Sequence, residues 1–207
     1  MTILLIAITV IISVLAFYNE NLFSRLQFNA YQIYHRNEWY RMLTHGFVHA
    51  NWWHLIINML VLYFFGAASE LYLHNLAMEG IIKNPTLIYI ILYLVSIIFA
   101  CSISLLKHKD NHWYNSVGAS GGVAAVMFFS IFFNPWQKVY LYGILGIPGI
   151  IFAVLYIIYS QYMSRKGGDN INHEAHILGA VFGFAFPLFL SPGLIHYFIH
   201  QLLSAFQ

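Results

Sequence analysis

Residues 85–106 read PTLIYIILYLVSIIFACSISLL, with no charged side chain between Lys83-Asn84 and Lys107. An α-helix needs roughly 20 apolar residues to cross the hydrocarbon core of a bilayer. This stretch meets that length, and its solvent must be lipid or the inside of a protein. Outward from it, the chain repeats the pattern. Apolar runs cover about Thr2 to Tyr18, Asn51 to Tyr72, Val139 to Tyr162 and Glu174 to Leu190, and a shorter one covers Ala119 to Phe133, closed by Asn134-Pro135. With 85–106 these make six candidate spans in one membrane domain, residues 1–207. After Ser191-Pro192 the tail is again mostly apolar and either prolongs the last helix or lies on the membrane surface.

Composition agrees. The 207 residues are 60% hydrophobic, 18% aromatic and only 8% charged, whereas a soluble domain carries about 25% charged residues. A net charge of +2, scattered along the chain, points away from nucleic acid. The single cysteine, Cys101, excludes an intramolecular disulfide framework and reads as a small buried hydrophobe. No Lys or Arg precedes the run at Thr2–Tyr18, so that run is expected to be a retained span rather than a cleaved signal. No barrel alternation is visible and open sheet edges are not tolerated in lipid, so the expected fold is an all-α, polytopic membrane helical bundle.

The connecting segments differ. The first, Asn19 to Ala50, is long and aromatic and is expected to have structure of its own. The third, Lys107 to Gly118, is polar and turns abruptly into a helix. The fifth, Ser164 to His173, contains Gly167, Gly168, Asn170 and Asn172 and reads as a mobile linker. Gly143, Gly146, Pro148 and Gly149 predict a kinked fifth helix.

Chemistry-bearing residues sit near the ends of spans. Ser120 lies in SVGASGG, 116–122. A serine at a helix start has unused backbone N–H groups beside it, which can bind a developing negative charge. The plain alternative is a packing face of small residues. His176 lies in HEAHILGAVFG, 173–183, on the same helix face as Gly179 and Gly183. That spacing permits close helix contact and presses the histidine against a neighbour. A histidine bonded only to interfacial water is the alternative. His54 and Asn58, four residues apart, present two hydrogen-bond donors on one side of the second span, or merely tie two helices together. A nucleophile, a base and two donors are the parts of an acyl-transfer site. Helix alternation puts the starts of the second, fourth and sixth spans on one side of the membrane, so all four residues share that side.

The pattern Tyr40-Arg41, His45, His49, His54, Asn58, Gly66 and Glu70, followed by Gly118-Ala119-Ser120-Gly121 and Ala175-His176-Ile177-Leu178-Gly179, resembles the rhomboid family of intramembrane serine proteases over roughly Glu38 to Gly183. The resemblance implies a Ser–His dyad without a third acid: Ser120 as nucleophile, His176 as general base, and an oxyanion hole made of His54, Asn58 and the Ser120 N–H. It implies transmembrane protein substrates, structural roles for Arg41 and Glu70, a gate and cap built from the fifth helix and fifth loop, and no cofactor or metal. It also implies a multi-pass protein of a bacterial inner membrane. Two positions depart from the family's habit. Tyr40 stands where tryptophan is common, and Ala124 stands four residues after the nucleophile, where an aromatic ring often stacks on the catalytic histidine. His176 must then be held by something else. With a cytoplasmic N-terminus, the outer loops would carry most of the Lys and Arg, against the positive-inside rule; the resemblance nonetheless favours an active site opening to the extracytoplasmic side.

Two other functions compete. His45, His49 and His54, with His173 and His176, could be histidine boxes of a membrane metalloenzyme, although only Glu38 and Glu174 lie near them as acids. A non-catalytic binder of transmembrane helices would keep the fold without cutting.

Overall fold

In the computed structural model of the chain, residues 1–141, 144–167 and 171–204 are described. Helix α1 spans Thr2–Phe17. The long first loop folds into α2 (Glu20–Leu26), strand β1 (Phe28–Asn29), α3 (Ala30–Arg36), α4 (Arg41–Thr44) and a single 3-10 turn, His45–Phe47. Helix α5 runs Trp52–Met78, α6 Pro85–Ala100 and α7 Ser102–His108; strand β2 is Asn115–Ser116. Then come α8 (Ser120–Phe133), strands β3 (Lys138–Leu141) and β4 (Leu145–Pro148), α9 (Gly149–Lys166), α10 (His173–Leu190) and α11 (Leu194–Leu203). The architecture is helical, with two small antiparallel ribbons, β1–β2 and β3–β4.

Among the described residues, three helical stretches are long and apolar enough to cross a membrane: Trp52–Met78, Pro85–His108 and His173–Leu190. The apolar helices Thr2–Phe17 and Ser120–Phe133 are shorter. The expected ends hold within a residue or two for the first, fourth and sixth runs, and the second continues to Met78.

The fifth run is a correction. It was expected to be helical from Val139, but Lys138–Leu141 and Leu145–Pro148 form the β3–β4 ribbon, in which Lys138 pairs with Pro148 and Leu141 with Leu145. Pro148 removes a donor and Gly146 weakens a helix, so the helix begins only at Gly149. There Gly149 N–H donates to Gln137 O and Ile150 N–H to Pro135 O, at 2.9 and 2.7 Å, tying the base of α9 down. Gly143, and in the fifth loop Gly168 and Asn170, lie outside the described residues.

Helix α8 is the axis. Every residue from Gly121 to Phe133 is buried, and it packs against α10, α5 and α6 and, at its far end, α11. Phe132 stacks on Phe198 of α11 with centroids 5.0 Å apart. The α8–α10 contact uses the expected glycines: a Cβ built on Gly179 collides with the Gly121 carbonyl, and one on Gly183 with the Ala125 carbonyl. Gly183→Ala must therefore push two backbones apart. It is expected to destabilise by about 1–3 kcal/mol and lower the melting midpoint in detergent. Gly193→Ala, where the nearest atom to the added Cβ is 3.7 Å away, is expected to leave the midpoint unchanged. A Gly183→Ala midpoint equal to wild type would contradict this packing.

The first loop is held from within. Arg41, 4% exposed, donates from Nη1 to Ser24 O and Gln27 O at 2.7 and 2.8 Å, and from Nε to Glu38 at 2.6 Å. Burial raises the Glu38 carboxyl, but the hydrogen bond and charge of Arg41 outweigh it and hold the group below its ordinary range. Glu70 of α5 accepts from the Thr2 N–H at 2.6 Å and from the Met1 amino nitrogen at 2.8 Å, fastening α1 to α5. Cys101 is buried at the α6–α7 junction, its sulfur 3.7 Å from that of Met42, as expected of a small hydrophobe.

Candidate active site

Three features of the chain converge on the start of α8. The β1–β2 ribbon pairs Phe28 with Ser116 and Asn29 with Asn115, so the first loop grips the segment leading into Ser120. Gly118 takes a φ of +120°, a conformation that L side chains rarely adopt, and donates its N–H to His45 O at 2.9 Å. A Cβ there would strike the Cε1 edge of the His54 ring, so only glycine lets the loop pass so close. Ala119 then donates its N–H to His49 Nε2 at 3.3 Å. Ser120 follows as the first helical residue, where the backbone N–H has no intrahelical partner to seek.

His49 is fully buried, and both of its ring nitrogens are engaged. Because Nε2 accepts from Ala119, Nδ1 carries the proton and donates to Ser13 Oγ at 2.9 Å; Ser13 donates in turn to Phe47 O at 2.8 Å. A helix-1 serine and a loop histidine thus fix the backbone just before Ser120. His45 Nδ1 meets the Arg41 carbonyl at 3.0 Å. These bonds give the two histidines structural roles.

Burial pushes His45 down to about 4 and His49 down to about 3 from the ordinary 6.5. The unfolded chain binds protons below about pH 6.5 that the folded chain refuses, so stability is full above that pH and is lost as pH falls. The melting midpoint in detergent is expected to drop by several degrees between about pH 7.5 and 5, and a flat profile would contradict this.

One cavity of about 780 Å³ opens at this end of the bundle. Ser120, His176, His54 and Asn58 all line it. The four residues expected to act together from their sequence positions are thus gathered from α5, α8 and α10. Asn58 Nδ2 donates one hydrogen bond to His54 O at 2.8 Å; an amide nitrogen has a second hydrogen, available to the cavity. His54 Nδ1 accepts a weak 3.5 Å bond from Ala50 N–H, which leaves Nε2 as the ring's donor. Most of the lining is apolar, with buried Val123, Ala124 and Met127 beside Val61 and Phe152. Asn51, Asn115 and Asn172 add polar side chains to it.

The ring on His176 is one that the sequence did not single out. Tyr156 of α9 stacks on it, with centroids 6.1 Å apart and planes 18° from parallel. It supplies from α9 the aromatic face that Ala124 of α8 lacks. Tyr156 is one of 15 tyrosines and lies in an apolar run; only the pairing of α9 with α10 distinguishes it.

A family model described as "Rhomboid domain" matches residues 36–193. Two curated relatives come from Arabidopsis thaliana. RHOMBOID-like protein 12, mitochondrial, is 26% identical over 154 residues, which is 67% of this chain and 43% of the relative. Rhomboid-like protein 11, chloroplastic, is 30% identical over 157 residues, 70% of this chain and 50% of the relative. The chain spans about half the length of these relatives. Their names place them in plant organelles and lend no support to the bacterial inner membrane expected from the sequence, while residence in a membrane agrees with the apolar helices. With a family match running from the end of α3 to the start of α11 and taking in Ser120, His176, His54 and Asn58, the chain belongs to the rhomboid family.

Proposed function

We propose that this protein is an intramembrane serine endopeptidase that hydrolyses peptide bonds in or near transmembrane segments of other membrane proteins. The observation that supports the reading is that Ser120, His176, His54 and Asn58 line one cavity whose walls are mostly apolar. Ser120 Oγ attacks the scissile carbonyl carbon while His176 takes its proton. The carbonyl oxygen, now negative, is bound by His54 Nε2–H, the second Nδ2–H of Asn58 and the Ser120 N–H. His176 then protonates the leaving amine, and an acyl-enzyme remains. Water entering the cavity is deprotonated by His176, attacks the ester, and regenerates Ser120.

The proposed membrane arrangement has six spans: α1, α5, α6 with α7, α8, α9 and α10. The cavity opens on the extracytoplasmic side, and the bacterial inner membrane stays the proposed location. A substrate span enters laterally between α5 and α9. Its helix must unwind first, since helical peptide bonds are shielded, which favours segments rich in Gly and other small residues. Cleavage of a model single-span protein in liposomes, with and without EDTA, tests the reading. Cleavage that survives the chelator supports it, and cleavage that the chelator abolishes would return the histidine-box metalloenzyme.

A further inference from the structure

Helix α9 is the most loosely integrated of the long helices. Of its residues only Gly149, Ala153 and Ser160 are buried, and it rests on a small cluster, Met127, Phe128, Ile131, Ala153 and Ala180, separate from the main core. Its outer face, including Ile151, Leu155 and Ile158, is exposed. Near its far end, however, it touches α10 in an ordered way. Tyr156 stacks on His176, and Tyr159, one turn further, meets His173 edge-on with centroids 6.0 Å apart. His173 and His176 are themselves in edge contact at 5.8 Å. Two tyrosines three residues apart on α9 thus face two histidines three residues apart on α10, a ring ladder with two rungs.

The first rung, Tyr156 on His176, bears on the active site. An imidazole that must shuttle a proton between Ser120 and the leaving amine has to keep its plane while its bonding partners change. A flat neighbour on its face restricts ring rotation. Helix α8 puts no aromatic ring on the cavity wall, Ala124 standing four residues after Ser120, and Tyr156, which also lines that cavity, brings a flat neighbour from α9. Resting on the serine-protease reading, we infer that Tyr156 is a positioning residue for His176, so that the base is set for proton transfer only while α9 lies against α10. A substrate wedging α9 outward loosens His176; the return of α9 re-seats it. The attack step is thereby tied to closure behind the substrate.

The test compares wild type, Tyr156→Phe, Tyr156→Leu and Tyr156→Met by kcat and KM on one single-span substrate, by melting curves, and by the rate at which a fluorophosphonate labels Ser120. In that labelling Ser120 Oγ bonds to phosphorus, fluoride leaves and the serine proton passes to His176, so the rate reports the dyad without needing substrate entry. Tyr156→Phe keeps the ring and is expected to match wild type within about twofold. Tyr156→Leu and Tyr156→Met lose it, and kcat and labelling are both expected to fall about tenfold, the scale of a misplaced rather than a missing group, with KM little changed. The methionine variant retains bulk, so it carries the comparison if the leucine variant unfolds. Wild-type kcat in either aliphatic variant overturns the inference. So does a loss confined to KM with unchanged labelling, which would make Tyr156 a substrate contact, or a Tyr156→Phe as impaired as Tyr156→Leu. These failures leave the protease reading standing, whereas cleavage that persists without the Ser120 hydroxyl would remove both.

Discussion

Replacing Ser120 by alanine is expected to abolish cleavage of a single-span substrate while leaving expression and the melting midpoint at wild-type values. The change removes one hydroxyl from the first turn of α8 and creates almost no cavity. The closest backbone approach of α8 to α10 is made elsewhere, by Gly121 with Gly179 and by Ala125 with Gly183. Chemically the loss is total: without Oγ there is no acyl-enzyme, and the remaining hydrogen-bond donors act only on water attack. In a soluble serine protease, removal of the nucleophile costs on the order of 10⁶ in kcat, which in a membrane assay falls below detection. His176→Ala is expected to be equally inactive. The decisive comparison is purified wild type against Ser120→Ala, reconstituted side by side. Undiminished proteolysis in the variant would end the serine reading, and inactive wild type with intact substrate binding would favour the non-catalytic binder.

The second large effect falls on Asn58. If its side chain holds the oxyanion, its hydrogen bond strengthens as the carbonyl oxygen gains charge, and its loss lowers kcat rather than raising KM. Removal of one such donor can cost about 10²–10³ in kcat. The loss is expected toward the lower end here, since His54 and the Ser120 N–H remain. Asn58 also donates to His54 O one turn back, so a structural share must be separated. That bond lies within α5, and its removal leaves a carbonyl that still has its helical partner. The melting curve of Asn58→Ala is therefore expected to shift little. A large fall in kcat with an unshifted midpoint assigns Asn58 to the oxyanion; an unchanged kcat removes it from the site.

Long apolar runs made most of the bundle legible before any coordinates. The helix starts at Pro85 and His173 are marked by capping asparagines that local sequence displays, Asn84 accepting from Leu87 N–H and Asn172 from Ala175 N–H. Ser120, His176, His54 and Asn58, each expected near the start of an apolar run, do line one cavity. The β3–β4 ribbon was not legible. Residues 138–148 are as apolar as a span, and hydrophobicity does not distinguish a ribbon from a kinked helix where Gly and Pro interrupt both. Nor were the contacts that depend on pairing distant segments: Ser13 under His49, Ala119 on His49, and Tyr156 on His176. Each joins residues of ordinary type whose meaning exists only once two helices lie side by side.

Helix α8 has 14 residues, about 21 Å at 1.5 Å per residue, against a hydrocarbon thickness of about 30 Å. A lipid-facing helix that short would force the bilayer to thin around it. Helix α8 meets almost no lipid, because α5, α6 and α10 enclose it and every residue after Ser120 is buried. Its shortfall is therefore taken up inside the helical bundle rather than at a lipid boundary. A mismatch with the thickness of a host bilayer falls on the helices around it, while the start of α8, with Ser120, keeps its place relative to α5, α6 and α10.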